Sequence, residues 1–188
     1  YFLTVIFFAP LLCPFAMRGW LKGYSSKHRD LHGVAGAFLL EVVMTVHVLS
    51  AAKRLGRRSG WTLSNLELQK ILYLAHMFYM GRTGGKPLVS GSFEAWDYGP
   101  VHLGLYHVAK VFGSSPVGNI FHAYPDVPEG PESAILDEAY DALGKAGAGR
   151  LVSATHRKGG AWDLNYRPGM KGCVIPNGDI LKEYAGLE

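Results

Sequence analysis

The sequence predicts a mainly α-helical fold, a single compact domain of about five to seven helices with a small β-hairpin or short strands, over residues 44–188. Three observations predict this class. Apolar residues make up 48% and aromatic residues 12% of the 188-residue chain, which is enough for a sizeable core. Apolar residues recur at helical spacing in several segments. Glycine and proline separate these segments from one another.

The beginning of the chain does not share this pattern. Residues 1–17 are almost wholly apolar, contain Pro10 and Pro14, begin without methionine and lack a basic leading region. A membrane helix needs about 20 apolar residues, and a signal peptide needs positive charge before its apolar stretch. We therefore interpret residues 1–43 as an upstream translation artefact or a non-domain extension. A membrane or export segment is the alternative, and it applies only if residues 1–17 are expressed.

The first predicted helix is short and carries most of the local positive charge. Apolar residues recur at helical spacing from Val46 to Leu55, and Gly56 is predicted to end the helix. The basic residues between Lys53 and Arg58 could support operator DNA binding, but no helix-turn-helix pattern accompanies them. We therefore expect a solvated basic turn and consider nucleic acid an unlikely partner.

The second predicted helix is the most clearly marked element. Ser64 and Glu67 have the S-x-x-E spacing of a capping box, which closes a helix N-terminus. Apolar residues then follow a 3.6-residue period from Leu68 to Tyr79, and Gly81 is predicted to end the helix.

The middle of the chain predicts short strands followed by a third helix. Residues 86–89 and 92–96 are rich in residues that favour extended chain, so a hairpin or isolated strands are expected there. Gly99-Pro100 is predicted to be a turn, with the proline at the first position of a helix over about residues 100–112.

The last part of the chain predicts three further helices after a long loop. Pro131 is expected to open a helix that continues to Leu143, with an acidic polar face. A short helix is expected over residues 151–156, and Asn177 is expected to cap a final helix that reaches Tyr184.

Common catalytic and cofactor-binding signatures are absent from the sequence. It contains no H-E-x-x-H, G-x-x-x-x-G-K-[ST], G-x-S-x-G or C-x-x-C pattern. His102 and His107, placed on one predicted helix, would face different directions and would not chelate a metal together. Cys13 and Cys173 lie far apart, which fits neither a disulfide framework nor a zinc site. We therefore expect no catalytic residue, no cofactor and no metal.

Three motifs carry a resemblance to a known family. They are, in chain order, NLELQKILYLAH at 65–76, GKPL at 85–88 and EAWDYGPV at 94–101. In their order and spacing they closely resemble the SocA-like antitoxin, or Panacea, family, which includes phage-associated, GepA-like proteins. Thr155-His156 and Ala161-Trp162 resemble its downstream Thr-His and Pro-Trp elements, with alanine in place of the usual proline. The resemblance covers approximately residues 44–188.

The resemblance implies an antitoxin of a type II-like toxin-antitoxin system in the bacterial cytoplasm. Such a protein neutralises a cognate toxin, encoded by the adjacent gene, through direct protein contact. The motif side chains would either brace the core or contact the partner, and both readings stay open. These family-motif and candidate partner-contact residues are Gln69, Lys70, Tyr73, Trp96, Asp97, Tyr98, Gly99, Pro100, Tyr106, Thr155, His156 and Trp162.

Two other functions remain as alternatives. SocA-like proteins can act as adaptors that deliver their toxin to a cytosolic protease, which makes an AAA+ protease a second candidate partner. A small phage-associated hydrolase could instead use Asp97, His102 or His156, with Asp97 and His102 as an acid-base pair. A carboxylate beside a helix start is more commonly a cap or dipole partner. We therefore expect a protein that is not an enzyme.

Overall fold

A computed structural model describes residues 45–187 of the chain. The elements within this range are α1 (Val48–Arg58), α2 (Asn65–Arg82), β1 (Phe93–Trp96), β2 (Gly99–His102), α3 (Leu103–Ala109), α4 (Pro131–Leu143), α5 (Ala148–Thr155), α6 (Ala161–Asn165), β3 (Val174–Ile175) and α7 (Asn177–Ala185). One turn of 3-10 helix, Lys110–Phe112, follows α3. The predicted class, mainly α with a small sheet, is confirmed.

The interpretation of residues 1–43 lies outside the described part of the chain. Within residues 45–187, none of the helices combines the length and the apolar character that crossing a bilayer requires.

The centre of the fold is α2. The predicted capping box is confirmed, because Ser64 Oγ accepts from Glu67 N while the Glu67 carboxylate accepts from Ser64 N at 2.9 Å. Of the 18 residues of α2, 14 are buried, and the helix contacts α4, α5, α7 and β2. Polar side chains on α2 must therefore find their hydrogen-bond partners inside the protein.

The sheet has the order β2-β1-β3, and both strand pairs are antiparallel. Phe93 of β1 pairs with His102 of β2 and with Ile175 of β3. The predicted strand over residues 92–96 is therefore confirmed as β1. The strand expected at 86–89 does not form, since Val89 makes only an isolated bridge, with Val46.

The segment Gly99–His102 is a strand, so the predicted turn and helix start at Gly99-Pro100 are wrong. Proline cannot donate to a strand ladder and is tolerated on edge strands. Pro100 fits β2 because β2 is an edge strand. The helix consequently begins at Leu103, and the predicted last turn of that helix is the 3-10 turn.

Several predicted helix boundaries also differ from the structure: α2 ends at Arg82 and not at Gly81, and α5 spans Ala148–Thr155 and not residues 151–156. The first helix continues past Gly56 to Arg58, and the glycine leaves room for the Trp61 ring. A Cβ at Gly56 would lie 2.3 Å from that ring. The N-cap of α7 is Pro176, whereas the Asn177 side chain is directed to His76 at 3.4 Å.

The positive charge of α1 is neutralised by α4 and by the loop before it. The ion pairs join Lys53 and Arg57 to Asp126, Arg54 to Glu129 and Asp137, and Arg58 to Asp141. Arg54 binds Asp137 through two nitrogens, at 2.9 and 2.8 Å. An open recess of about 400 Å³ in this interface is lined largely by the paired charges. Arg57 and Arg58 remain exposed, as expected of a solvated basic turn, and the ion pairs show that these cations also have partners within the protein.

Candidate functional site

The candidate site begins at the turn between β1 and β2. The turn consists of Asp97 and Tyr98, and Tyr98 is 71% exposed. Gly99 follows with a φ of +97°, which favours glycine. A Cβ at Gly99 would lie 2.8 Å from Thr155 Oγ1 and 3.1 Å from Lys70 Nζ. Glycine is therefore needed here, because the backbone passes close to side chains of α2 and α5.

Trp162 of α6 fixes the turn from one side. Its indole Nε1 donates to the Trp96 carbonyl oxygen at 2.8 Å. Its ring stacks on Tyr166, with centroids 4.5 Å apart, and lies 3.7 Å from the His156 ring centroid. Tyr166 Oη donates to Asp97 Oδ1 at 2.9 Å, and this bond raises the pKa of Tyr166. Stacking and hydrogen bonds together attach the turn to α6.

Trp96 connects the same turn to α3 and to the loop before β3. Its Nε1 donates to Glu94 Oε2 at 2.8 Å, and Glu94 Oε2 also accepts from Gly172 N at 3.2 Å. The Trp96 ring meets Tyr106 edge-on at a centroid distance of 4.7 Å. Lys171 Nζ lies 4.9 Å from the Trp96 ring centroid, within the range of a cation–π interaction.

These contacts define an aromatic cluster. Its members are Trp96, Tyr106, His156, Trp162 and Tyr166, and the exposed Tyr98 lies in the turn that they hold. Exposed apolar side chains accompany it: Leu164 lies between Trp162 and Tyr166 in the chain, and Val174 pairs with Glu94 in the sheet. Of the five exposed large hydrophobic residues among residues 45–187, the four outside the 3-10 turn are Tyr98, Leu164, Met170 and Val174. Such a concentration marks an interaction surface more often than a solvated face.

Gln69 and Lys70 hold β2 from the interior. Gln69 Oε1 accepts from His102 N at 2.8 Å, and Gln69 Nε2 donates to His102 O at 3.3 Å. Lys70 Nζ donates to the Pro100 carbonyl oxygen at 2.8 Å. Lys70 is only 1% exposed, and this burial lowers the pKa of its ammonium group to about 7. Both side chains act on the backbone next to the turn and do not reach the surface.

Tyr73 and Thr155 are also internal. Tyr73 Oη donates to Glu183 Oε2 at 2.9 Å, and the same oxygen accepts from Ala161 N at 2.9 Å. Burial raises the pKa of Glu183 and that of Tyr73. Thr155 Oγ1 bonds to carbonyl oxygens one turn back in α5. Because Ala161 begins α6, the Tyr73–Glu183 pair fixes the start of the helix that carries Trp162.

His156 is half-buried at the edge of the aromatic cluster. Its Nε2 is buried and has no hydrogen-bond partner among residues 45–187. Burial and the nearby charge of Lys70 lower the pKa of His156. The neutral ring therefore predominates at neutral pH and packs on Trp162.

Asp97 and His102, suggested as the acid-base pair of a hydrolase, are not brought together. His102 pairs with Phe93 at one end of the hairpin, whereas Asp97 is in the turn at the other end, roughly 10 Å away along the strand. His102 is buried, its Nε2 lies 2.9 Å from Ser90 O, and burial lowers its pKa. His102 lies in β2, so the prediction that it shares a helix with His107 is wrong. Among the described residues there is no group of three or more His, Cys, Asp or Glu that could hold a metal.

Two residues of the site were not predicted. Tyr166 follows Trp162 by four residues, a spacing that brings side chains together on a helix, so this signal was present in the sequence. Glu183 is 110 residues from Tyr73, and no local pattern connects them. The contact of Tyr166 with Trp162 could therefore be predicted from the sequence, whereas the role of Glu183 could be recognised only in the folded structure.

Comparison with known proteins relates the chain to antitoxins. The model of a family described as "Antitoxin SocA-like, Panacea domain" matches residues 68–163. The curated protein Antitoxin SocA of Caulobacter vibrioides (strain NA1000 / CB15N) is 36% identical over 117 residues. That match covers 54% of this chain and 59% of the length of the relative. No solved structure matches the chain significantly. The family match includes the β1–β2 turn, all of α5 and the first residues of α6.

Proposed function

The chain belongs to the SocA-like antitoxin family with a Panacea domain, and from this membership we propose that it neutralises a cognate toxin protein by binding it directly. The curated relative, itself an antitoxin, supports the general role. The surface that binds the toxin is the aromatic cluster with the exposed side chains around it. Binding of this kind requires no catalytic residue, and the proposed role is therefore not that of an enzyme.

One observation carries the proposal: Tyr98 is 71% exposed, although hydrogen bonds hold the turn that bears it. Hydrogen bonds from Trp162 and Tyr166 hold the first half of the turn, at Trp96 O and at Asp97, and Lys70 holds the strand after it at Pro100 O. Tyrosine and tryptophan on a rigid support are the side chains that dominate protein interfaces, because little conformational entropy is lost when they are covered. The turn therefore presents a preorganised anchor for a partner.

The buried motif residues support this division of roles. Gln69, Lys70 and Tyr73 hold the backbone of β2 and the start of α6, and their side chains are inaccessible to a partner. These three side chains brace the core. Tyr98 and the exposed parts of Tyr106 and Tyr166 are the side chains that contact the partner. The motif thus combines a scaffold with the surface that it positions.

Co-expression of the full chain with the product of the adjacent gene tests the proposal. We expect growth to be restored and the two proteins to co-purify. Growth that is restored without a stable complex, and only in a host that retains its AAA+ protease, would instead support the adaptor function. In that case the half-life of the toxin would also fall when the protein is present. A toxic neighbour that is neither bound nor neutralised would contradict both mechanisms.

A further inference from the structure

The charges of the described residues are distributed unevenly along the chain. Six carboxylates lie between residues 126 and 141, and every one has a partner. The pairs are Asp126 with Lys53 and Arg57, Glu129 with Arg54, Glu132 with Tyr79, Asp137 with Arg54, Glu138 with Arg82, and Asp141 with Arg58. The carboxylates of α4 and of the loop before it are therefore largely neutralised by partners within the same chain.

Residues 145–171 carry positive charges that have no ion-pair partners among the described residues. Six exposed cations lie between residues 145 and 171, and none of them forms an ion pair with any residue in 45–187: Lys145, Arg150, Arg157, Lys158, Arg167 and Lys171. The same segment contains a single acidic residue, Asp163, whose carboxylate accepts from Gly159 N at 2.8 Å. Uncompensated positive charge is thus concentrated in the part of the chain that carries α5 and α6.

Three of these cations adjoin the aromatic cluster, and we call them the basic rim: Lys158, Arg167 and Lys171. Lys171 Nζ lies over the Trp96 ring. Arg167 directly follows Tyr166 and donates to its carbonyl oxygen at 2.7 Å. Lys158 lies in the short loop between His156 and Trp162, whose ring centroids are 3.7 Å apart. Arg157 also lies in that loop, but it interacts electrostatically with Glu183, so it is not included in the rim.

We propose that the toxin surface recognised by this protein is acidic, and that the basic rim steers it onto the aromatic cluster. This inference rests on the proposed function. Oppositely charged rims accelerate association and fix the orientation of partners, while aromatic anchors supply most of the affinity. A protein fits this surface better than a nucleic acid does. Exposed apolar side chains accompany the rim, and a protein surface covers such side chains better than a phosphate backbone does.

Association kinetics of the full chain with the product of the adjacent gene test the inference. The test variant combines Lys158→Gln, Arg167→Gln and Lys171→Gln. The matched control combines Lys110→Gln, Lys145→Gln and Arg150→Gln, which removes the same net charge from exposed positions outside the rim. Both are compared with the unmodified chain at about 50 mM and about 300 mM NaCl, which changes the screening length. We expect the rim variant to associate at least about tenfold more slowly at low salt and to lose most of its salt dependence.

Three other results would overturn the inference. Association rates that depend neither on salt nor on the rim substitutions would overturn the acidic-toxin inference and would leave the proposed function intact. Equal losses in the rim variant and the control would show that net charge acts without the rim. A DNA duplex of arbitrary sequence that binds more tightly than the toxin, and is released by the rim substitutions, would assign the surface to nucleic acid. Absence of any complex with the unmodified chain would remove the proposed function itself.

Discussion

Tyr98 and Gly99 are neighbours in the chain, but packing within the fold requires the glycine and does not require the tyrosine. Gly99 has a φ of +97° and is enclosed by Lys70 and Thr155, so its identity follows from packing. Tyr98 is 71% exposed and forms none of the contacts that hold the turn. Since nothing in the fold requires a tyrosine at this position, its contribution is expected to appear when a partner is bound.

The first prediction concerns Tyr98→Ala. We expect the variant to bind the toxin at least about tenfold more weakly, because loss of an aromatic anchor costs an interface about 2 kcal/mol or more. We expect its melting temperature to remain close to that of the unmodified chain. Titration calorimetry and thermal unfolding measure the two effects. Val111→Ala, at a 77% exposed position in the 3-10 turn, is the matched control and should change neither.

The second prediction concerns the buried ammonium group of Lys70. Burial lowers its pKa from 10.5 to about 7 in the folded protein. Between these values the unfolded chain binds a proton that the folded protein does not, so the free energy of unfolding rises with pH. The rise is at most about 1.4 kcal/mol per pH unit.

Urea unfolding at several pH values between about 7 and 10.5 should show this rise in the unmodified chain and a smaller rise in Lys70→Met. Lys182→Met, at an exposed side chain, should retain the full rise. Identical pH profiles for all three proteins would contradict the assignment.

At the scale of elements, the sequence predicted what is encoded locally. The start of α2 follows from the Ser64–Glu67 capping box, which operates within four residues. The strand β2 was missed because its stability comes from β1 and from the Gln69 and Lys70 side chains, about 30 residues earlier in the chain. Bracing was one of two open readings for Tyr73, but no local pattern pointed to its partner Glu183. Long-range hydrogen bonds thus account for the parts of the site that local patterns could not give.

The third prediction concerns the packing of α4 on α1. Hydrogen bonds from Lys53 and Arg57 lower the pKa of Asp126 to about 2, and Arg54 lowers the pKa values of Glu129 and Asp137. Lowered carboxyl pKa values stabilise the fold above the pKa values of the unfolded chain, about 4, and this stability is lost as the pH falls towards about 2.

Thermal unfolding between about pH 5 and pH 2 measures this loss. Arg54→Gln should lower stability near neutral pH by about 1 kcal/mol and should flatten the acid dependence, because two carboxylates lose their main partner. Arg167→Gln removes the same charge from a position that has no ion pair with any residue in 45–187 and serves as the control. An acid dependence as steep in Arg54→Gln as in the unmodified chain would show that these pairs do not govern it.

At the scale of the whole described unit, charge and aromatic side chains are divided between two regions. At the interface of α1 and α4 the charged side chains form ion pairs with one another, and these pairs hold the two helices together. The region from α5 to β3 leaves its cations unpaired and carries three of the exposed apolar side chains. The first region therefore accounts for stability, and the second has the composition of a surface that a partner covers.

Hydrogen–deuterium exchange of the full chain, alone and bound to the product of the adjacent gene, tests the central claim most directly. The account predicts that binding protects residues 94–106 and 156–174, which contain the β1–β2 turn, the aromatic cluster and the basic rim. Exchange in α1 and α4 should stay unchanged. Protection confined to α1 and α4, with no change around Tyr98, would contradict the claim that this turn and its aromatic neighbours bind the toxin.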